Sequence, residues 1–242
     1  VITLLGEDPV TIEVGDTYTD AGATASDTYD GDLTVDVSGT VDTSTAGTYT
    51  ITYTATDSSD NTATATRTVN VLDTTIPVIT LLGEDPVTIE VGDTYTDAGA
   101  TATDTYDGDI TSSIVTVSIV NTAIVGVYSV SYNVSDTSGN AAAEITRTVN
   151  VVDTTVPVIT LLGEDPVTIE VGDTYTDAGA TATDTYDGDI TSSIVTVSTV
   201  NTSIVGVYSV SFNVTDANGN PAAEVTRTVN VVDTTVPVIT LL

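Results

Sequence analysis

Three copies of one sequence block run along the chain, and this repeat constrains the fold more than any other feature. The string VITLLGEDPVTIEVGDTYTDAGATA begins at Val1 and recurs at Val78 and Val158, so the period is close to 80 residues. A period of this length is too long for short solenoid repeats and is typical of one small domain per copy. The repeat therefore predicts three tandem domains. Their expected boundaries are 1–73, 74–153 and 154–233, with 234–242 as the first strand of a further repeat or a strand donated to another subunit.

Apolar and polar residues alternate with a period of two inside each copy. In the second copy Val87, Ile89 and Val91 alternate with Thr88 and Glu90, which is the pattern of a strand with one buried face. Val and Thr favour strands, and turn residues interrupt them at the spacing of a β-sandwich. The strands expected in the second copy are 78–82, 87–91, 98–104, 113–120, 127–135 and 142–152, with a short one near 122–125. The predicted fold class is all-β, with tandem immunoglobulin-like β-sandwich domains in an elongated array.

Two runs in the second copy carry a family resemblance. The runs GDTYTDAGATATDTYDGDIT and GVYSVSYNVSDTSGNAAAEITRTVNVVD, which have close counterparts in the other copies, resemble the bacterial surface-protein immunoglobulin-like domain. That family occurs in tandem in large adhesins and in other cell-surface and secreted proteins. The resemblance implies an extracellular β-sandwich used as a spacer, stalk or wall element, without catalysis of its own. The first copy departs from the pattern in its loop DSSDN, which lacks the glycine of the loop DTSGN, so its turn geometry stays open.

The composition excludes several classes of chemistry. The 242 residues include 35 Asp and Glu against three basic residues, which gives a formal net charge of −32, and there is no Cys or His. All three basic residues are arginines, so there is also no lysine. Disulfides, zinc sites built on Cys or His, thiol or histidine catalysis and Schiff-base chemistry are therefore excluded. A surface this negative repels nucleic acid and anionic lipid and attracts cations.

A catalytic role is not expected. The options left without Cys, His or Lys are a carboxylate pair or metal-assisted hydrolysis, and the carboxylates recur in every copy, as repeated structural sites do. The apolar runs are far shorter than the roughly 20 residues that span a bilayer, so we expect no membrane insertion in this segment. Val1 follows neither an initiator Met nor a signal peptide, and we interpret the chain as a mature or excised piece of a larger extracellular, cell-surface protein.

Acidic residues recur in two loops of each copy and in the linker that joins one copy to the next. In a sandwich of this kind both loops lie at the end of the domain that receives the linker. Four or five carboxylates would then converge at each joint, where like-charge repulsion favours a bound cation. Calcium takes roughly 6–8 oxygen ligands from such loops. The candidate calcium ligands are Asp27, Asp30, Asp32 and Asp57 in the first copy; Asp73, Asp104, Asp107, Asp109, Asp136 and Asn140 around the second; and Asp153, Asp184, Asp187, Asp189, Asp216 and Asn220 around the third.

An alternative stays open for these loops, because Asp and Asp-Gly are ordinary turn residues. They would then be solvated turn aspartates without a tightly bound metal. A second acidic group at the opposite pole, such as Asp16 and Asp20, is interpreted as a polar turn.

The linker runs from Asp73 to Pro77, and its proline restricts both its own backbone and that of Ile76. We therefore predict a joint that is stiff with calcium and flexible without it.

Each copy holds one arginine and several tyrosines whose surroundings can be predicted. Arg147 has the same parity as Val149 and Val151 in the last predicted strand, and the other two arginines repeat this placement. We expect the arginine at the margin of the core, paired with a carboxylate. The tyrosine of the motif DTYDGD, which is Tyr29 in the first copy, is interpreted as a core or corner aromatic rather than a sugar-stacking platform.

Three hypotheses follow for the function. The leading one is a structural segment of an extracellular surface protein, namely a calcium-stiffened stalk or fibre of repeated domains in an adhesin, surface layer or filament. Near-identical second and third copies favour it, because a spacer tolerates duplication. The alternative is a carbohydrate- or receptor-binding module, which predicts a distinctive loop in one copy, and only residues 33–47 offer one. A third hypothesis adds self-assembly through the terminal strand 238–242, whose sequence matches the first strand of every copy. Neighbouring repeats of the same chain are the other expected partners.

Overall fold

The computed structural model describes residues 1–240, and its regular secondary structure is almost entirely β-strand. The first repeat contains β1 (Ile2–Leu4), β2 (Val10–Glu13), β3 (Ala23–Asp27), β4 (Gly31–Leu33), β5 (Asp36–Ser38), β6 (Gly47–Thr56) and β7 (Thr62–Leu72). The second contains β8 (Val78–Leu81), β9 (Val87–Glu90), β10 (Ala100–Asp104), β11 (Gly108–Asp109), the 3-10 helix η1 (Thr111–Ser113), β12 (Val115–Ser118), β13 (Gly126–Asn133) and β14 (Ile145–Val152). The third contains β15 (Val158–Leu161), β16 (Val167–Glu170), β17 (Ala180–Asp184), β18 (Gly188–Asp189), the 3-10 helix η2 (Thr191–Ser193), β19 (Val195–Ser198), β20 (Gly206–Asn213) and β21 (Val225–Val232).

The chain divides into two compact units, and the division passes through the second repeat. The first unit comprises Val1–Asp85, Asp97–Ile119 and Ser129–Arg147. The second comprises Pro86–Thr96, Val120–Tyr128 and the chain from Thr148 onward. The joint between the first two repeats therefore lies inside the first unit, and the joint between the last two lies inside the second.

Each repeat is built from two sheets. In the first repeat a three-stranded sheet has the order β1-β3-β4, and a four-stranded sheet has the order β2-β7-β6-β5, with β2 parallel to β7. The third repeat reproduces both orders as β15-β17-β18 and β16-β21-β20-β19. In the second repeat β8 pairs with β10, β12 pairs with β13, and β9 runs parallel to β14. The predicted all-β fold of tandem immunoglobulin-like sandwiches is confirmed.

The core follows the alternation of the strands. In the third repeat Val210 and Phe212 of β20 and Val229 of β21 are buried together with Ile159 and Ala182 of the other sheet. Because side chains of a strand alternate between its two faces, the intervening Ser and Thr residues point outward. Burial of one face of each sheet against the other supplies the main driving force for folding. The same alternation buries Val69 and Val71 in the first repeat.

The single arginine of each repeat lies inside the core. Arg67 is fully buried, its NH1 forms an ion pair with Asp20, and its NH2 donates to the carbonyls of Leu5 and Gly22. The guanidinium lies 5.5 Å from the centroid of the Tyr53 ring. The predicted carboxylate partner is confirmed, but the predicted position at the margin of the core is wrong. Backbone carbonyls and one aspartate bind the two terminal nitrogens of the guanidinium and compensate its buried charge, while Arg67 Nε has no hydrogen-bond partner in the described chain.

Tyr53 is expected to make the first repeat sensitive to alkali. Its hydroxyl donates to Asp20 Oδ1 at 2.5 Å, and burial together with this bond to an anion raises the pKa of Tyr53 to about 12. Because the pKa is raised in the folded state, this contribution to stability is complete below pH 10 and is lost as the pH rises through about 12. We expect the free energy of unfolding to fall by about 1 kcal/mol from this group between pH 10 and pH 11.

Urea unfolding followed by circular dichroism at the two pH values measures this effect. The matched control is Tyr53→Phe, because the third repeat carries Phe212 at the equivalent position. The variant should lose less stability than the parent chain over this interval. Parallel losses in the two chains would show that Tyr53 does not titrate as described.

The strand boundaries differ from the sequence prediction where turns intervene. Residues 122–124 form a turn rather than the short strand expected near 122–125. The last strand of the second repeat begins at Ile145 instead of residue 142, because Ser135 and Ala141 close an isolated bridge around the acidic loop.

The structure also defines the turn geometry of the loop DSSDN in the first repeat, which the sequence left open. Asp60 adopts a φ of 65° where Gly139 has 92° in the second repeat, and Asp is one of the few residues that tolerate this region.

The terminal segment forms no strand in the part that the structure describes. Val238 and Ile239 are exposed, and residues 233–240 have no regular secondary structure. Positions 241 and 242 of the predicted strand 238–242 lie outside the described residues. Across residues 1–240, the structure contains no helix with the length and apolar character needed to cross a membrane.

Candidate metal centre at the repeat joints

The linker of the first joint is held by hydrogen bonds that Thr74 and Thr75 donate to two carboxylates. Asp73 Oδ1 accepts bonds from the backbone N–H and the hydroxyl of Thr75, at 3.1 and 2.6 Å. Glu13, at the end of β2, accepts bonds from the Thr74 N–H and hydroxyl at 2.8 and 2.6 Å. Asp73 is only 6% exposed, and its Oδ2 has no hydrogen-bond partner among residues 1–240. The linker thus presents one buried, uncompensated carboxylate oxygen to the next repeat.

The loop after β10 contributes two further carboxylates. Asp104 Oδ1 accepts bonds from the N–H groups of Tyr106 and Asp107 at 2.7 and 3.0 Å, and its Oδ2 accepts one from the Thr75 hydroxyl at 3.2 Å. Asp107 is held by the N–H and hydroxyl of Thr137. These bonds orient both side chains before any ligand arrives.

The loop before β14 contributes the fourth carboxylate. Asp136 accepts bonds from the Asn140 N–H at 2.7 Å and from Asn140 Nδ2 at 2.8 Å. The same Nδ2 donates to the backbone carbonyl of Asp73 at 3.0 Å. Asn140, a predicted ligand, therefore bridges the linker and the loop as a donor in this structure.

These carboxylates form a compact group. Asp73, Asp104, Asp107 and Asp136 each place an oxygen within 4.8 Å of the others, and three of the four residues are buried. Four carboxylates this close repel one another strongly in a partly buried site. A site whose ligands are all carboxylate oxygens suits a hard divalent cation such as Ca2+. The uncompensated oxygen of Asp73 agrees with that fit.

A related group occurs at the second joint. Asp153, Asp187 and Asp216 place oxygens within 4.8 Å of one another. Asp184 is buried next to them and accepts bonds from Tyr186 N–H and the Thr155 hydroxyl. Asn220 repeats the bridging role of Asn140, because its Nδ2 donates to the carbonyl of Asp153 and to Asp216.

The remaining predicted ligands lie elsewhere. Asp109 and Asp189 are exposed and accept bonds from the N–H groups of Thr111 and Thr191. In the first repeat the predicted residues are Asp27, Asp30, Asp32 and Asp57. Within residues 1–240 they do not form a group of the kind seen at the joints. Asp57 instead accepts bonds from Asn61, and Asp30 accepts bonds from Ser58.

The loop geometry keeps several of these carboxylates ionised. Burial acts to raise the pKa of Asp104, but the N–H bonds from Asp107 and Tyr106 outweigh it, and the pKa is lowered. Burial likewise opposes the bonds from Asn220 at Asp216, whose pKa is also lowered. Hydrogen bonds to the charged form favour ionisation. Negative charge is therefore retained at neutral pH where a cation would bind.

Two contacts at the joints escaped the sequence analysis. The hydroxyl of Tyr106 accepts a bond from the Ala46 N–H of the preceding repeat at 3.2 Å, and Tyr186 does the same with Val125 at 3.3 Å. Tyr29, the equivalent residue of the first repeat, is 92% exposed. The interpretation of Tyr29 as a core or corner aromatic is wrong, because its side chain is exposed, and in the second and third repeats the equivalent tyrosine contacts the preceding repeat instead of the core. Glu13 was also missed, although it recurs before the Val-Gly-Asp turn of every copy.

The sheets and joints together define a class of protein, namely tandem immunoglobulin-like sandwiches with carboxylates at their joints. The family described as bacterial surface protein, Ig-like domain matches three consecutive segments, residues 2–71, 79–151 and 159–231. The chain belongs to this family, and the resemblance found in the sequence is confirmed. The family description suggests a structural role and an extracellular or surface location.

One curated relative and two solved structures are similar to parts of the chain. The pesticidal crystal protein Cry22Aa of Bacillus thuringiensis is 38% identical over 136 residues, which cover 53% of this chain and 18% of that protein. The lipoprotein BT2262 from Bacteroides thetaiotaomicron is 25% identical with a TM-score of 0.30, over 34% of this chain and 40% of that chain. Extracellular cadherin domains 3-6 of protocadherin gamma B2 are 13% identical with a TM-score of 0.33, over 93% of this chain and 71% of that chain. The chain thus spans less than a fifth of the curated relative that it matches.

Proposed function

We propose that this chain is a structural segment of an extracellular surface protein, in which calcium bound at the joints stiffens a stalk or fibre. The observation that carries the proposal is Asp73 Oδ2, which is buried without a hydrogen-bond partner among residues 1–240 and lies in a group of four carboxylates. A buried, unpaired anionic oxygen is costly unless a cation compensates it. Membership of a surface-protein family supports the extracellular and structural parts of the proposal.

The proposed ligands come from three separate segments at each joint. Asp73, Asp104, Asp107 and Asp136 would hold the ion at the first joint. Asp153, Asp187 and Asp216 would hold it at the second, with Asp184 beside them. A bound cation supplies charge compensation and ties the linker to both loops of the following repeat. Asn140 and Asn220 act as positioning residues, and the exposed Asp109 and Asp189 fall outside the proposed ligand set.

Stiffness follows from how the linker is held on its two sides. Glu13 ties Thr74 to the preceding repeat, and a cation on Asp73 would tie the linker to the following one. Only one residue step separates the two attachments, which leaves little freedom for bending. The proposed repeats are 1–73, 74–153 and 154–233, each ending on the linker aspartate. The proposal includes no catalytic role, and the net charge of −32 disfavours nucleic acid as a partner.

Spin-label distances across the first joint test the proposal. The chain contains no cysteine, so Thr66→Cys and Thr116→Cys place labels only at two exposed strand positions, one in each repeat. Calcium is expected to narrow the distribution of label distances and to protect the linker 73–77 from proteolysis. A chelator should broaden the distribution and restore cleavage.

The control compares two aspartates of the same joint. Asp73→Asn removes the buried ligand and should abolish the calcium effect, whereas Asp109→Asn changes an exposed carboxylate outside the group and should leave it intact. Distance distributions and cleavage rates that are identical with calcium and with chelator would refute the stiffening role.

A further inference from the structure

The two joints differ at one position that contacts the linker aspartate. The loop before the last strand reads DTSGN in the second repeat and DANGN in the third, so Ser138 corresponds to Asn218. Asn218 Nδ2 donates to Asp153 Oδ2 at 2.9 Å. The equivalent oxygen of the first joint, Asp73 Oδ2, has no partner in the described chain, so Ser138 does not reach it. One joint therefore leaves its linker carboxylate open, and the other occupies it with an amide.

An amide N–H that donates to a carboxylate oxygen compensates part of its negative charge, as a bound cation would. The bond compensates the Asp153 charge and satisfies its lone pair, so the free energy that drives ion binding is smaller. An ion that binds at Asp153 must first displace this donor, and Asn218 must turn its amide away. At the first joint no such step is needed.

Two other features weaken the second joint in the same direction. Its compact group has three carboxylates where the first has four, and calcium affinity depends on the number of charged ligands and on site rigidity. Ala217 also replaces Thr137, whose hydroxyl bonds both oxygens of Asp107 at 2.7 and 2.9 Å. Asp187 keeps only the backbone bond, from Ala217 N–H at 2.9 Å, and is less firmly oriented.

We infer that the two joints bind calcium with unequal affinity, and that the residue at position 138 or 218 sets the difference. This inference rests on the proposed calcium function. The first joint is the tight site and the second the weak one, with an affinity ratio on the order of tenfold, as expected for displacing a hydrogen bond to a charged group. At intermediate calcium concentrations the first joint is stiff while the second is still flexible.

Calorimetric titration with calcium tests the inference in the full chain. Asp153→Asn leaves only the first joint to be measured, and Asp73→Asn leaves only the second. In the D73N background Asn218→Ser should tighten binding about tenfold, and in the D153N background Ser138→Asn should weaken it about tenfold. Each exchange introduces a residue that the other repeat already carries, so folding is preserved. Ala217→Thr in the D73N background is the matched control and should change affinity less than Asn218→Ser.

The outcomes separate the two proposals. Absence of calcium binding to the unmodified chain would refute the proposed function and this inference with it. Equal affinities at both joints, unchanged by either exchange, would leave the calcium function standing and overturn the inference. Weaker binding after Asn218→Ser would also overturn it, because Asn218 would then be serving as a ligand through its Oδ1.

Discussion

Replacing Arg67 with methionine is expected to destabilise the first repeat by about 3 kcal/mol, a large fraction of the stability of a small domain. The variant leaves Asp20 without its cation and removes the donor to the carbonyls of Leu5 and Gly22. The usual cost of breaking a buried pair is about 3–5 kcal/mol. We expect the lower end because the Asp20 side chain is 23% exposed and water can partly solvate it. Hydrogen exchange measured by mass spectrometry on peptides of β6 and β7 reports the loss.

Two controls make this result specific. Thr66→Val changes the neighbouring exposed position on the same strand and should leave exchange nearly unchanged. The triple variant Arg67→Met, Asp20→Leu and Tyr53→Phe removes both charges and the buried hydroxyl that donates to Asp20, and it should recover part of the lost stability, because replacing a whole buried pair by apolar groups is often nearly neutral. Exchange in β6 and β7 that is no faster in the single variant than in the parent would show that the arginine is dispensable.

Calcium is expected to raise the free energy of unfolding by about 3 kcal/mol at a free concentration about 100-fold above Kd. The proposed ion would bind only the folded joint, because its ligands come from segments that are far apart in the unfolded chain. Asp73 is separated from Asp136 by more than 60 residues of sequence, and only folding brings their oxygens within 4.8 Å. Urea unfolding with calcium and with chelator measures the difference.

The two variants used to test the stiffness of the joint also test its stabilisation by calcium. Asp73→Asn should remove most of the calcium effect at the first joint, and it should also raise stability in chelator slightly, since one repelling charge is gone. Asp109→Asn should do neither. Unfolding curves that coincide in calcium and in chelator would argue that the acidic loops are solvated turns, which is the alternative left open by the sequence.

Much of the fold could be predicted because its causes are local. The alternation around Val87 to Val91 predicts a strand with one buried face, and the structure places β9 there. The glycine at position 139 indicates a turn with a positive φ, and the structure has one there. Asp60 adopts the same conformation in the first repeat, where no glycine predicts it. The burial of Arg67 was underestimated because its partners, Leu5 and Asp20, lie far from it in the sequence.

At the joints, the sequence could not predict which of several similar residues would meet. Asp107 and Asp109 belong to one motif and are equivalent candidates by residue type, yet Asp107 joins the group while Asp109 bonds Thr111 at the surface. Ser138 and Asn218 are both ordinary turn residues by sequence, but only Asn218 forms a hydrogen bond with a linker carboxylate. Side-chain direction at a loop depends on backbone turns within a few ångströms, which residue spacing does not specify.

The sequence by itself determined the repeat, the strand periodicity, the excess of carboxylates and the two loops and linker that carry them, since these depend on composition and on neighbours along the chain. Tertiary structure alone decided which carboxylates meet, that Glu13 holds the linker, that Tyr106 contacts the preceding repeat and that the two joints differ. The physical reason is that a site built from segments roughly 30 to 60 residues apart exists only after the sheets have packed, because packing sets the distances on which charge repulsion and cation binding depend.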